Sequence, residues 1–224
     1  MMPKNLPQYI LENWERYKVT ISDASKSDVG VSLVESEEEI YNFDQVCKDF
    51  FTGKNVPTSA DGVQIQGRNV ELVEFKSGFK QRVTKDKFDP DKGTCKSAGK
   101  VCTDYWNLFW ENQDRKRAQL ISSVRTKAIE SYVFLEKHIL PQCLDYTEGG
   151  KMKLVFTVVI DEDGVDGLED TLAELAGAEP ENNAITAIRQ ALKRFANRKD
   201  ENDIPYYYDS INVFSAKDFE KRIK

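Results

Sequence analysis

The nine residues 152–160, MKLVFTVVI, constrain this chain more than any other stretch. A near-continuous apolar run rich in β-branched residues is the composition of a strand covered on both faces, which belongs in the middle of a sheet with helices packed above and below. The flanking patterns supply those layers. From Glu35 to Phe51 the apolar positions Ile40, Phe43, Cys47 and Phe50 recur at three and four, after an acidic opening, and predict a first core helix. GKNVPTSAD breaks that pattern, and DGVQIQ followed by NVELVEFK reads as two strands joined tightly through Gly67-Arg68-Asn69. A helical pattern then runs from about Thr103 to Leu140, broken near Gln113, with Ile121, Val124, Ala128, Tyr132, Leu135 and Ile139 on one face and Pro141 as its stop. Further helical patterns at GLEDTLAEL and NNAITAIRQALKRFAN, a last strand in YYYDSINVF and a short helix in AKDFEKRIK complete the order. The expectation is an α/β fold with a central mixed sheet flanked by helices.

At 224 residues this suits a single domain, 1–224, with an N-terminal extension at 1–34 and a helical elaboration at 164–200. The opening MMPKNLPQYILENWERY lacks the apolar run of a signal peptide, and no stretch has the length of a membrane span, so a cytoplasmic protein is expected. Cys47, Cys95, Cys102 and Cys143 are too scattered for a disulfide framework and are expected to be reduced. A net charge of -6 argues against nonspecific coating of nucleic acid. Lysine and arginine nevertheless crowd 76–100 and 115–127, while acids gather at 35–39 and 161–181, so a basic side is available to a phosphate backbone.

The chemistry concentrates in Asp61, Glu74 and Lys76. On a strand, side chains two apart share a face about 7 Å from each other, which puts Glu74 beside Lys76. Asp61 opens the neighbouring strand and brings a second carboxylate. Two carboxylates beside an ammonium form a place for Mg²⁺ or Mn²⁺, with charge left over to stabilise in-line attack on a phosphodiester. In a chain with 38 acidic and 32 basic residues an acid-x-lysine triplet is cheap, so its setting has to decide. The other match, Asp114-Arg115-Lys116, lies in a helical pattern, where positions two apart point about 200° away from each other. The plain alternative for Glu74 and Lys76 is a same-face ion pair on an edge hairpin, worth about 0–1 kcal/mol.

The triplet, its partner acid, the hydrophobic frame LVEFKSG and the order helix, hairpin, helix together resemble the PD-(D/E)xK nuclease superfamily, with its restriction-endonuclease-like core. The similarity spans about Glu35 to Ile160. It implies that Asp61 and Glu74 bind the catalytic metal, joined by the Phe75 carbonyl, and that Lys76 orients or deprotonates the attacking water. The proline usual before the first acid is Ala60 here. A carboxylate on the first helix is also common in the family, and Glu39 is the candidate, in competition with Glu37 and Glu38. Ser77 and Lys80 follow the motif closely enough to touch a phosphate. The implied activity is a Mg²⁺- or Mn²⁺-dependent nuclease acting on DNA, with RNA as the alternative substrate and a homodimer as the easier way to cut both strands of a duplex. The alternatives are a catalytically silent domain of the same fold that binds protein or nucleic acid, and an unrelated α/β interaction protein.

Other residues carry less. His138, the single histidine, leaves little material for a zinc site or a His-dependent triad and suits a capping or solvated role. Asp161, Asp163 and Asp166 lack EF-hand spacing and read as a solvated turn. Cys95 and Cys102 have no second pair with which to hold a metal. Tyr105, Trp106, Phe109 and Trp110 read as helix-core residues more readily than as a base-stacking platform.

Overall fold

The structure is a computed structural model, and it describes residues 5–27, 29–51, 55–79, 100–143, 152–161, 184–201 and 205–224, the side chains of 100–106 excepted. The segment GLEDTLAEL, Cys95, Asp163, Asp166, Lys80 and the side chains of Cys102, Tyr105 and Trp106 lie outside the described residues.

The described chain builds an open six-stranded sheet whose spatial order follows the sequence. Its strands are β1 (Lys18–Thr20), β2 (Glu39–Asn42), β3 (Gly62–Gln66), β4 (Asn69–Lys76), β5 (Lys153–Ile160) and β6 (Ser210–Ser215). The first four pair antiparallel and the last three pair parallel, so the sheet is mixed. The helices are α1 (Leu6–Asn13), α2 (Ile21–Ala24), α3 (Phe43–Phe50), α4 (Lys100–Phe134), α5 (Ala184–Asn197) and α6 (Ala216–Ile223). Lys18–Thr20 is edge strand β1, and Leu6, Ile10, Trp14 and Tyr17 enter the main core.

β5 has the two-sided burial its composition demands. Leu154, Phe156, Val158 and Ile160 face the main core, while Val159 packs in a smaller core with Ile21, Val34, Val73, Phe75 and Phe219. Each such side chain, fully buried, contributes about 1.5–3 kcal/mol, which is what fixes this strand inside the sheet. β4 divides in the same way, with Val70 and Leu72 on the main-core face and Val73 and Phe75 on the other. Its turn with β3 is tighter than the sequence suggests: Asn69 pairs with Gln66, leaving Gly67 and Arg68 as the loop, and Gly67 takes a left-handed φ of 62°.

The long helix expected over Glu35–Phe51 is only half formed. Glu39–Asn42 is strand, because Ile40 and Tyr41 find apolar cover on opposite faces, Ile40 in the smaller core and Tyr41 in the larger. The helix starts after Asn42, whose side chain accepts a hydrogen bond from the Gln45 N–H at 2.9 Å. The expected break near Gln113 is also absent, since α4 is continuous from Lys100 to Phe134 and passes into a π-helical turn at Leu135–Ile139.

His138 is half-buried on the π-helical turn. Its ring packs among Phe50, Phe51 and Phe134, with centroids 4.7, 5.4 and 5.6 Å away. Cys47 and Cys143 are free thiols, and burial pushes the Cys47 thiol up to about 12.

On the face of β4 turned toward α6, Glu71 is buried and held by a forked pair from Arg222, both N–O distances being 2.7 Å. The Thr157 hydroxyl also donates to Glu71. This lock ties the C-terminal helix to the middle of the sheet.

Candidate metal and phosphate site

Asp61 lies just before β3, and β3 runs antiparallel to β4, so Asp61 comes to the end of the sheet where β4 finishes. Its N–H donates to the Val73 carbonyl at 3.0 Å, and its Oδ2 accepts from the Phe75 N–H at 2.7 Å. The acid therefore stands in for the next rung of the ladder and is fixed in direction. Glu74 and Lys76, two apart on β4, share the face that α4 covers. Glu74 is fully buried, whereas Lys76 reaches the Ser123 hydroxyl of α4 at 3.5 Å.

The residue that sequence reasoning missed is Lys127. Its Nζ lies 2.8 Å from Glu74 Oε2 and 3.0 Å from Asp61 Oδ1, so one ammonium bridges both carboxylates. A signal for it was present: Lys127 interrupts the apolar stripe between Val124 and Ala128, both fully buried. A lysine placed there needs a buried anion. The same helix face anchors the segment leading to Asp61. Ser131 Oγ accepts from the Ala60 N–H at 2.8 Å, and Glu130 accepts from the Thr58 N–H and hydroxyl at 2.5 and 2.7 Å. Positions 123, 127 and 131, spaced by four, form one row on an α-helix.

Asp61, Phe75, Lys76, Ser77, Leu120, Lys127 and Asp161 all line a cavity of about 740 Å³, which residues 24–27, 29 and 31–33 also line. Asp161, expected in a solvated turn, instead accepts from the N–H groups of Gly78 and Phe79, both at 2.8 Å. It thereby holds the chain just past β4, where Gly78 has a φ of 102°. Glu39 takes no part in this arrangement. It is exposed at the start of β2 with its carboxylate 3.5 Å from Lys18, and lines a separate pocket with Gln64 and Arg222. The strand at 39–42 is the cause, since the helix that was to carry Glu39 begins only after it.

Electrostatically the centre is a tight trio. Removal from water, reinforced by the Asp61 carboxylate, pushes the Glu74 carboxyl well above the ordinary carboxylate range, against the opposing pull of Lys127 and Lys76. Desolvation alone would push the Lys127 ammonium down, but Glu74 and Asp61 outweigh it and hold Lys127 above the usual lysine range. Because folded Glu74 holds its proton more tightly than the unfolded chain does, its contribution to stability is complete below the ordinary carboxylate range. It is lost as pH rises through the raised value. In EDTA, the melting temperature of the parent is therefore expected to fall relative to Glu74→Gln as pH climbs from acid toward neutral. Calorimetric melts of the two proteins across that range check it, and a constant or opposite gap would contradict the assignment.

Glu74 Oε1 is buried with no hydrogen-bond partner within the protein, so the centre has an unused carboxyl oxygen. Among the described residues no three His, Cys, Asp or Glu side chains form a metal-holding group. Two carboxylates suffice for Mg²⁺, which keeps several waters and completes its shell with substrate oxygens. The oxygen-only donors Asp61 and Glu74 and the orphaned Oε1 fit Mg²⁺ or Mn²⁺, with Phe75 beside them through its bond to Asp61.

Comparison with family models, with curated proteins and with solved structures finds no match. Among the described residues no helix is long and apolar enough to cross a membrane.

Proposed function

We propose that this protein is a divalent-metal-dependent nuclease with a restriction-endonuclease-like core, hydrolysing phosphodiester bonds in DNA. One observation carries the reading: Asp61 and Glu74 converge on a single cation position, next to Lys76 and at the edge of a cavity large enough for a nucleotide. The position lies at the carboxyl end of β4, the end at which open α/β sheets bind their ligands.

A bound Mg²⁺ or Mn²⁺ would supply Lewis-acid polarisation of the phosphoryl oxygen and acidify the attacking water. The chain's own groups do the rest. Asp61 and Glu74 hold the ion, Asp61 being kept in direction by the Phe75 N–H. Lys76, tethered to Ser123, orients the attacking water and places positive charge where the phosphorane develops. Ser77, on the cavity wall, offers a hydroxyl to a neighbouring phosphate oxygen.

The second reading is a silent domain of the same architecture that binds nucleic acid or protein without cutting. The observation in its favour is Lys127, whose one ammonium already bridges both acids. The test is incubation of the parent protein with single-stranded, duplex and branched DNA in Mg²⁺, Mn²⁺ or EDTA, with Asp61→Ala/Glu74→Ala prepared identically to expose contaminating nuclease. Metal-dependent fragments from the parent alone support the nuclease. Identical traces from both proteins under every condition leave the silent domain, to be followed by DNA-binding titrations.

A further inference from the structure

We infer that Lys127 is a built-in counter-ion that competes with a divalent metal for the same place between Asp61 and Glu74, so that metal binds only by displacing it. This rests on the metal site of the proposed function but adds a residue and a control which that reading does not contain.

The geometry leaves one position and two claimants. Lys127 Nζ is 2.8 Å from Glu74 and 3.0 Å from Asp61, at hydrogen-bonding distance from both acids. A metal joining the same two carboxylates would lie within a few ångströms of that nitrogen, where two cations repel strongly in a region shielded from water. Lys127, not Lys76, makes the direct ion pairs with the two acids, while the Lys76 ammonium reaches Ser123. The buried Glu74 thus depends on α4 for its partner.

Displacement is sterically open. Lys127 lines the cavity, and its side chain is 21% exposed, so the displaced ammonium moves toward solvent rather than into the core. A lysine stem with four rotatable bonds makes that movement without disturbing α4, whose grip on 58–60 runs through Glu130 and Ser131 instead. The consequence is a metal site whose affinity is held down by an internal competitor.

Mn²⁺ binding measured by titration calorimetry, at fixed pH and ionic strength, tests this in the parent, Lys127→Met, Lys127→Gln and Lys127→Met/Asp61→Asn. Both single variants are expected to bind Mn²⁺ at least about tenfold more tightly than the parent, and the double variant to lose the gain, since removing a competitor raises affinity only while both ligands remain. Equal or weaker binding in both single variants would overturn the inference and make Lys127 a plain structural partner. If a single variant melts in metal-free buffer, the readout becomes refolding. Recovery of the native circular dichroism spectrum on adding Mn²⁺ supports competition, and no recovery in either variant refutes it. The two readings fail separately. Tighter Mn²⁺ binding without cleavage keeps the inference and removes the nuclease, whereas cleavage by the parent without tightening does the reverse. Absence of Mn²⁺ binding in every protein removes both.

Discussion

Lys76→Ala is expected to cleave DNA roughly 10³-fold more slowly than the parent, a loss of about 4 kcal/mol of transition-state stabilisation. The size follows from what the ammonium does. Phosphodiester hydrolysis gathers negative charge on the non-bridging oxygens as attack proceeds, and a fixed cation at that point acts on the transition state more than on the bound substrate. Lys76 sits on a strand that is central and buried, which limits how far its base can drift, and Ser123 holds the tip at 3.5 Å. Removing it leaves Asp61, Glu74 and Lys127 in place, so Mn²⁺ affinity and melting temperature should change little. Single-turnover cleavage at saturating metal, together with a melt and a Mn²⁺ titration, separates this from a folding defect. A rate within a few fold of the parent would make Lys76 a bystander. A large loss accompanied by weaker metal binding would move its role from charge stabilisation to assembly of the metal site.

Arg222→Met is expected to cost about 3–5 kcal/mol, because it strands the buried Glu71 carboxylate without its counter-charge. The pair is bidentate, with two 2.7 Å contacts, and the Glu71 side chain is only 2% exposed. For a chain of this size that corresponds to a melting temperature lower by roughly 10 °C. The double variant Glu71→Gln/Arg222→Met is expected to recover most of the loss, since the penalty lies in the unpaired charge rather than in the missing contact. Thermal melts of parent, single and double variants decide it. A single variant that melts within about 2 °C of the parent would show that water reaches Glu71 when α6 loosens. Because Glu71 and Glu74 occupy opposite faces of β4, this variant should leave the metal centre intact unless α6 is also needed to hold the strand straight.

The largest misreading of the fold originates in long-range packing. In 35–51 the spacing of Ile40, Phe43, Cys47 and Phe50 fits a helix, but Ile40 and Tyr41 have apolar cover on both sides of a sheet, and that cover exists only once β1 and β3 are beside them. Glu39 went with the helix and was misplaced with it. The aromatic contacts of half-buried His138 are equally invisible locally, because Phe50 and Phe51, almost ninety residues earlier, arrive against its ring only in the folded chain. In each case long-range packing decides what local preference does not.

The sequence by itself determined that this is an α/β chain. MKLVFTVVI had to be an inner strand, the stripe of Ile185, Ile188, Leu192 and Phe195 had to be a buried helix face, and alternation had to set Glu74 and Lys76 on one side of β4. These follow from periods of two and 3.6, which are local properties of the backbone. Only the tertiary structure decided that Asp61 and Glu74 share one cation position, that Lys127 from α4 fills it, and that Asp161 clamps the end of β4. Those contacts join residues 13 to 83 positions apart, and a few tenths of an ångström separate a hydrogen bond from a miss. Periodicity names the face on which a side chain lies. Sheet register and the seating of α4 decide which other charge it meets there.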